Sequence, residues 1–154
     1  MITPPRPASM LGAAGLVPAL AAAAAVLWGP EPWRATAATV CATYAAIILS
    51  FLGGAWWGIV SSDHPQGAPA VGRLAGVFTM SVLPSLAAWG ALLLQRPDGL
   101  LALGLLFLVV LPGDFWLSRA GLAPGWWPRL RLPLSLGMAA VALVTGAVME
   151  LGRA

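Results

Sequence analysis

Long apolar runs alternate with short polar segments along the whole chain. Five of the runs are long enough to cross a bilayer, because a helix rises about 1.5 Å per residue and about 20 residues span the hydrocarbon. They lie at about residues 10–28, 35–60, 74–94, 100–117 and 132–149. The pattern therefore predicts an all-α integral membrane bundle of five transmembrane helices, forming a single domain over residues 10–151.

Residues 1–9, MITPPRPAS, are polar and rich in proline. They predict a flexible N-terminal lead that ends at Ser9, which can cap the first helix. The first apolar run has an alternative interpretation as a secretory signal, because Arg6 precedes it and its alanines resemble cleavage sites. Its length and the terminal Trp28 favour a retained transmembrane helix, since tryptophan prefers the membrane interface.

Composition agrees with a membrane protein. Hydrophobic residues make up 60% of the chain and charged residues 8%, whereas soluble domains average about a quarter charged. The net charge of +3 is carried by arginines in the turns, which argues against nucleic-acid binding. If the N-terminus is cytoplasmic, five arginines face the cytoplasm and three face outward: Arg6, Arg73, Arg119, Arg129 and Arg131 against Arg34, Arg96 and Arg153. This excess predicts a cytoplasmic N-terminus and a periplasmic or extracellular C-terminus.

Small residues recur every four positions in the second run. They are Ala42, Ala46, Ser50, Gly54 and Gly58. Such a ridge lets another helix approach closely, so we expect it to be the main helix-packing face. The alternative is that Gly53 and Gly54 unwind the helix and expose carbonyls to a ligand. Trp56 and Trp57 lie about 100° apart on a helix, which places one inside the bundle and Trp57 at the membrane interface.

Polar side chains within the second to fourth runs suggest a second possibility. The residues are Tyr44, Ser50, Ser81, Ser85 and Asp114. Together they could line a polar cavity between these helices, with Pro84 kinking the third. The competing interpretation is structural, because serine hydroxyls can satisfy the carbonyl that a proline leaves without a donor.

The segment PGDFW, residues 112–116, predicts a kink or an end of the fourth helix. Asp114 then lies near a hydrocarbon boundary, and we expect it to pair with Arg119 or with an arginine of the 129–131 segment; a proton-relay or ligand-binding carboxylate is the alternative. Residues 118–131 are rich in arginine and tryptophan and predict an interfacial hairpin. The residues expected at the interface are Trp57, Arg119, Trp126, Trp127, Arg129 and Arg131.

Groups able to carry chemistry are few. The chain has one histidine, His64 beside Asp63, and one cysteine, Cys41, which we expect to be a small buried apolar residue. No HExxH, GxSxG or phosphate-binding glycine motif occurs. We therefore expect no catalytic residue, no metal site and no cofactor.

The block from Tyr44 to Gly58, YAAIILSFLGGAWWG, resembles the hallmark of the DUF3429 family. Three further blocks match in the expected order: LGAAGLVP at 11–18, SVLPSLAAW at 81–89 and GWWPRLRLPLSL at 125–136. Two positions depart from the family pattern. Trp127 replaces a more frequent tyrosine, and Trp56 stands where histidine or arginine is common, which argues against a catalytic polar group there.

The resemblance implies a five-span helical protein of the bacterial inner membrane, with mitochondrial relatives in animals, and it implies no known activity. The abundance of packing features favours a structural or assembly partner in the membrane. The alternative is a small transporter or channel whose path follows the polar residues of the second to fourth helices. The expected partners are membrane lipids and another membrane protein or a second copy of the chain.

Overall fold

A computed structural model describes residues 3–62 and 71–152, without the side chains of 71–73. Asp63, His64, Arg153 and the first two residues lie outside the described part. Six helices form within it: α1 Arg6–Ala14, α2 Val17–Trp28, α3 Glu31–Ser61, α4 Val71–Leu93, α5 Asp98–Arg119 and α6 Trp127–Leu151.

The all-α fold with five membrane-spanning segments is confirmed. Five helical segments of the described residues are long and apolar enough to cross a bilayer. The first of them, Arg6–Trp28, consists of α1 and α2 together. The expectation that residues 6–9 belong to a flexible lead was wrong, because α1 begins at Arg6. Pro7 lies in its first turn, where a missing N–H leaves no helical bond unmade.

The break between α1 and α2 follows from Pro18. Proline has no N–H to donate to the carbonyl four residues earlier, and its ring crowds that carbonyl, so the helix is interrupted at Gly15 and Leu16. The hydroxyl of Tyr44 on α3 donates to the Gly15 carbonyl at 2.7 Å. The second transmembrane segment thereby fixes the bend in the first.

Helix α3 runs unbroken for 31 residues. It passes through Gly53 and Gly54 without interruption, so the alternative that these glycines unwind the helix was wrong. Pro32 lies in its first turn, as expected for a helix start. At about 1.5 Å per residue the helix is about 46 Å long, which exceeds the hydrocarbon thickness and requires tilt or projection.

Internal prolines do not end the later helices. Pro84 lies within α4, Pro112 within α5 and Pro133 within α6. The prediction that residues 112–113 could end the fourth helix was wrong, since α5 continues to Arg119. Because α6 already begins at Trp127, the connection is a turn over 120–126, shorter than the predicted hairpin. Gly121 in this turn has φ +72°, a conformation that favours glycine.

Close helix contacts form where glycine faces a large side chain. Gly104 of α5 faces Leu143, and Gly146 of α6 faces Leu101, so α5 and α6 pack tightly. The largest fully buried side chains include Phe107. Large apolar side chains also cover the outside, for example Trp28, Phe51, Trp89 and Val109, as expected for a surface that faces lipid.

Candidate functional site

A buried carboxylate joins three helices of the bundle. Asp114 on α5 is 1% exposed. Its Oδ1 accepts hydrogen bonds from Trp56 Nε1 at 2.8 Å and Trp127 Nε1 at 2.7 Å, and its Oδ2 accepts from Arg131 Nε at 3.2 Å. Arg131 Nη2 donates to Ser135 Oγ at 2.9 Å. We call these five residues the Asp114 cluster.

Helix periodicity brings the members of the cluster together. Trp127, Arg131 and Ser135 follow one another at intervals of four along the start of α6, so they lie on one face. Trp56 reaches α5 from α3 because Gly113 leaves room for its indole. A Cβ at Gly113 would lie 2.5 Å from the edge of the Trp56 ring, which is too close for any side chain.

The electrostatics of the cluster are those of a neutralised buried pair. The side chains of Arg131 and Asp114 are 8% and 1% exposed, so both charges lie outside water. Two indole N–H groups add to the ion pair on the same carboxylate, and such hydrogen bonds are what make a buried ion pair tolerable. Removing either partner would leave an uncompensated charge, so the cluster fixes α3, α5 and α6 against one another.

One of the two predicted pairings of Asp114 is therefore correct. The carboxylate pairs with Arg131, a member of the 129–131 segment, whereas Arg119 is exposed. Arg131 is buried within the bundle, and its depth in a bilayer stays a prediction. It occupies the first turns of α6 on the face that meets α5, so the ion pair draws it inward.

A large cavity lies beside the cluster. It has a volume of about 830 Å³ and is lined by residues of α1 and the break after it, of α3, of α5 at Phe107, of the turn before α6, and of α6 itself. Most of its walls are apolar, formed by residues such as Leu11, Leu16, Ile48, Phe51, Leu130 and Met138. Arg131 and Ser135 also line it, which places the polar end of the cluster at the wall of an apolar space.

The large cavity is not the predicted polar cavity between the second, third and fourth spans, which stays a prediction. The five candidates for that polar cavity, Tyr44, Ser50, Ser81, Ser85 and Asp114, are absent from the lining of the large cavity. Four of these side chains form hydrogen bonds with other partners. Tyr44 donates to the Gly15 carbonyl, Ser50 to the Ala46 carbonyl and Ser81 to the Phe78 carbonyl, and Asp114 accepts within its own cluster. The serine hydroxyls thus satisfy carbonyls of their own helices, as the structural interpretation expected.

The predicted packing ridge of α3 is correct at one end only. Ala42 and Ala46 are buried, whereas Ser50, Gly54 and Gly58 are exposed. A step of four residues turns a helix about 40° beyond a full turn, so the line of small residues leaves the buried face as it proceeds. A Cβ at Gly54 or Gly58 would meet no atom within 4 Å.

Gly53, one residue away from that line, is the glycine that permits close packing. A Cβ at this position would overlap the carbonyl oxygen of Ser81 and approach the Pro84 ring at 3.6 Å. The backbone of α3 therefore contacts α4 directly at Gly53. Ser81 and Pro84 of α4 therefore pack against α3 at a position that has no side chain.

The adjacent tryptophans diverge as predicted. Trp56 is 5% exposed and Trp57 is 50% exposed, with the Trp57 ring 4.6 Å from that of Phe78. Among the other residues expected at the interface, Arg119 and Arg129 are exposed and Trp126 and Trp127 are half-buried. Their depth in a bilayer stays a prediction. Cys41 is buried, with its sulfur 4.0 Å from the Thr145 hydroxyl oxygen.

Two members of the Asp114 cluster, Trp56 and Ser135, were not identified as functional residues from the sequence, and neither was Gly113, which leaves room for the Trp56 indole. Ser135 carried a signal, because it follows Arg131 by four residues and must share its helix face. Trp56 and Gly113 carried none that distinguishes them from their neighbours, since their roles depend on how α3 lies against α5.

These features define a polytopic, all-α membrane protein whose spans are joined by a buried carboxylate cluster beside an apolar cavity. The model of the DUF3429 family, described as a protein of unknown function, matches residues 4–148, and the chain belongs to this family. It is 34% identical over 136 residues to transmembrane protein 69 of Xenopus tropicalis, covering 86% of this chain and 50% of that protein. The chain thus spans half the length of this relative. No solved structure matches it.

Proposed function

We propose that the protein is a non-enzymatic structural or assembly partner in the membrane, which contacts a transmembrane helix of another membrane protein through the outer face of α3. This outer face comprises Ser50, Gly54 and Trp57. The observation that supports the proposal is that Gly54 is exposed and has no neighbour within 4 Å of a Cβ position. Small residues spaced by four let helices associate closely in lipid, and the chain's own packing does not use them here.

The Asp114 cluster supports the same proposal. Its carboxylate accepts three hydrogen bonds and its charge is balanced by Arg131. A carboxylate engaged in this way is suited to holding helices together rather than to exchanging protons, because proton transfer would disrupt the pairing on which the packing depends. We therefore assign the cluster a structural role that keeps α3 in a fixed orientation.

The experiment compares leucine substitutions at three glycines. The tagged protein is extracted from its native membrane in a mild detergent, and the proteins that copurify are identified. Gly54→Leu should abolish the association seen with the wild type without lowering the thermal stability of the protein. Gly76→Leu is the matched control, since Gly76 on α4 is also exposed and has no atom within 4 Å of a Cβ. Gly53→Leu should instead unfold the protein.

Two results would contradict the proposal. One is an association that survives Gly54→Leu, and the other is an association lost equally in Gly76→Leu. If the mass of the wild-type protein in detergent shows self-association and no other protein copurifies, the partner in the proposal becomes a second copy of the chain.

We further propose that the protein lies in a bacterial inner membrane with its N-terminus in the cytoplasm. The start of α1 and the turn over 120–126 lie at the same end, since Ala8 and Pro124 line the same cavity. Arg119 and Arg129 are exposed near this end, in keeping with the excess of arginine on cytoplasmic segments. An impermeant maleimide applied to intact cells should label Leu151→Cys and leave Pro5→Cys unlabelled; the reverse pattern would invert the orientation.

A further inference from the structure

Two buried groups at the wall of the large cavity keep hydrogen atoms that no acceptor among the described residues takes. Arg131 is 6% exposed and Ser135 is 1% exposed, and both line the cavity. Of the five N–H groups of a guanidinium, the Nε–H donates to Asp114 and one on Nη2 donates to Ser135. Within residues 3–62 and 71–152, the other N–H groups and the Ser135 hydroxyl hydrogen have no acceptor. Buried donors of this kind are rare in native proteins and indicate a missing partner.

Charge indicates what kind of acceptor fits. The positive charge of Arg131 is already balanced by Asp114 at 3.2 Å. An anionic ligand would give the buried site a net negative charge in a medium of low dielectric constant, which is costly. A neutral oxygen acceptor, such as the carbonyl of an ester or ketone, satisfies the donors without that penalty.

The rest of the cavity indicates the body of the ligand. Its walls on α1, α3 and α6 are formed mainly by leucine, isoleucine, phenylalanine and methionine side chains. Its volume of about 830 Å³ lies within the range of roughly 300–1,000 Å³ that is typical of ligand sites. An apolar wall with donors at one place is complementary to a long hydrocarbon chain that carries one polar atom.

We propose that this cavity is a binding site for a long-chain lipid with a neutral carbonyl group, whose oxygen accepts hydrogen bonds from Arg131 and Ser135 while its chain lies against α1, α3 and α6. The site is independent of the proposed association face. Gly58 lines the cavity, whereas Gly54, one turn earlier, does not.

The test is equilibrium binding of radiolabelled methyl oleate to the full chain in detergent. We expect saturable binding of one molecule per chain. Heptadecene, which has the hydrocarbon chain without a carbonyl, and oleate, which has a charged head, should each compete at least tenfold more weakly. Equal competition by heptadecene, or stronger competition by oleate, would overturn the proposal. Displacement by a diacyl phosphatidylcholine would identify a membrane lipid as the source of the carbonyl, and its failure would identify a free neutral lipid; both results agree with the proposal.

Two variants locate the site. Gly58→Leu should weaken binding at least tenfold, because the added side chain has open space around it and extends into the cavity. Gly54→Leu is its control and should bind as the wild type does. Ser135→Ala removes one donor and should weaken methyl oleate about fivefold, as expected for one hydrogen bond, without changing the affinity for heptadecene. Wild-type affinity in Gly58→Leu would place the ligand elsewhere and refute the assignment.

Discussion

The inner and outer faces of α3 use the same residue types for opposite purposes. Gly53 and Trp56 face inward, where the glycine meets the α4 backbone and the indole donates to Asp114. Gly54 and Trp57, their immediate neighbours, face outward, where the glycine has no neighbour and the indole is half-exposed. A rotation of about 100° per residue separates a glycine that allows internal packing from one that leaves an open surface. The two faces should therefore respond differently to the same substitution.

The largest loss of stability should follow from breaking the ion pair of Asp114 and Arg131, to which Trp56 on the inner face of α3 donates a hydrogen bond. Arg131→Met leaves the Asp114 carboxylate buried without its cation, and such a loss costs about 3–5 kcal/mol. The free energy of unfolding can be measured by titrating the protein in mixed micelles with a denaturing detergent. Arg119→Met, at an exposed arginine, should change it by less than about 0.5 kcal/mol.

The double variant Asp114→Leu/Arg131→Met sharpens the result. Because it removes both charges together, we expect it to recover most of the stability that Arg131→Met loses. If the double variant is no more stable than Arg131→Met, the ion pair contributes to stability beyond neutralising its own two charges.

A smaller loss of unfolding free energy should follow from substituting Gly53 on the inner face of α3, and not from substituting Gly54 on the outer face. Gly53→Ala places a methyl group against the Ser81 carbonyl, and relieving that overlap requires α3 and α4 to move apart, at a cost of about 3 kcal/mol. The unfolding free energy should fall by that amount in the same titration. Stability equal to the wild type would mean that the two backbones do not touch at this position.

The sequence was sufficient for the number of spans, because each depends on about 20 consecutive apolar residues. It did not give the helix ends, since α1 begins at Arg6 and α6 at Trp127. The sequence was insufficient to predict which face of a helix packs inside the bundle, since that depends on where the neighbouring helix lies. The four-residue spacing from Ala42 to Gly58 predicted a ridge, yet the ridge turns outward after Ala46. Gly53 belongs to no such periodic pattern. Its close packing against α4 depends on the position of Pro84, which the sequence does not give.

The Asp114 cluster shows the same limit. Asp114 and the arginines near α6 were recognisable as a pair because charges in an apolar chain need partners. Arg119 is not the partner because it follows Asp114 by five residues on α5, which places it about 140° around that helix. Arg131 is the partner because the register of α6, which begins at Trp127, turns it toward α5. The structure gives the predicted polar cavity no support from these side chains. Ser50 and Ser81 donate to backbone carbonyls of their own helices, as hydroxyls in helices often do, and Tyr44 donates to the Gly15 carbonyl.

The adjacent tryptophans offer a matched pair. Trp56→Phe keeps most of the buried ring and removes the N–H that donates to Asp114, so we expect a loss of about 1.5 kcal/mol, the lower end for hydrogen bonds to charged groups. Trp57→Phe keeps the contact with Phe78 and should change stability by less than about 0.5 kcal/mol. Comparable losses in both variants would indicate that ring size, and not the N–H, determines the effect.

The smallest effect should have the opposite sign. Gly54→Ala adds a methyl group into open space and restricts the unfolded backbone, so helix stability should rise by about 0.5 kcal/mol. Gly76→Ala, at the equivalent open position of α4, should give a similar gain in the same titration of the monomer. A loss at Gly54 together with a gain at Gly76 would show that the outer face of α3 already packs within the chain. In that case the free surface, and with it the proposed association, would have to be sought on another helix.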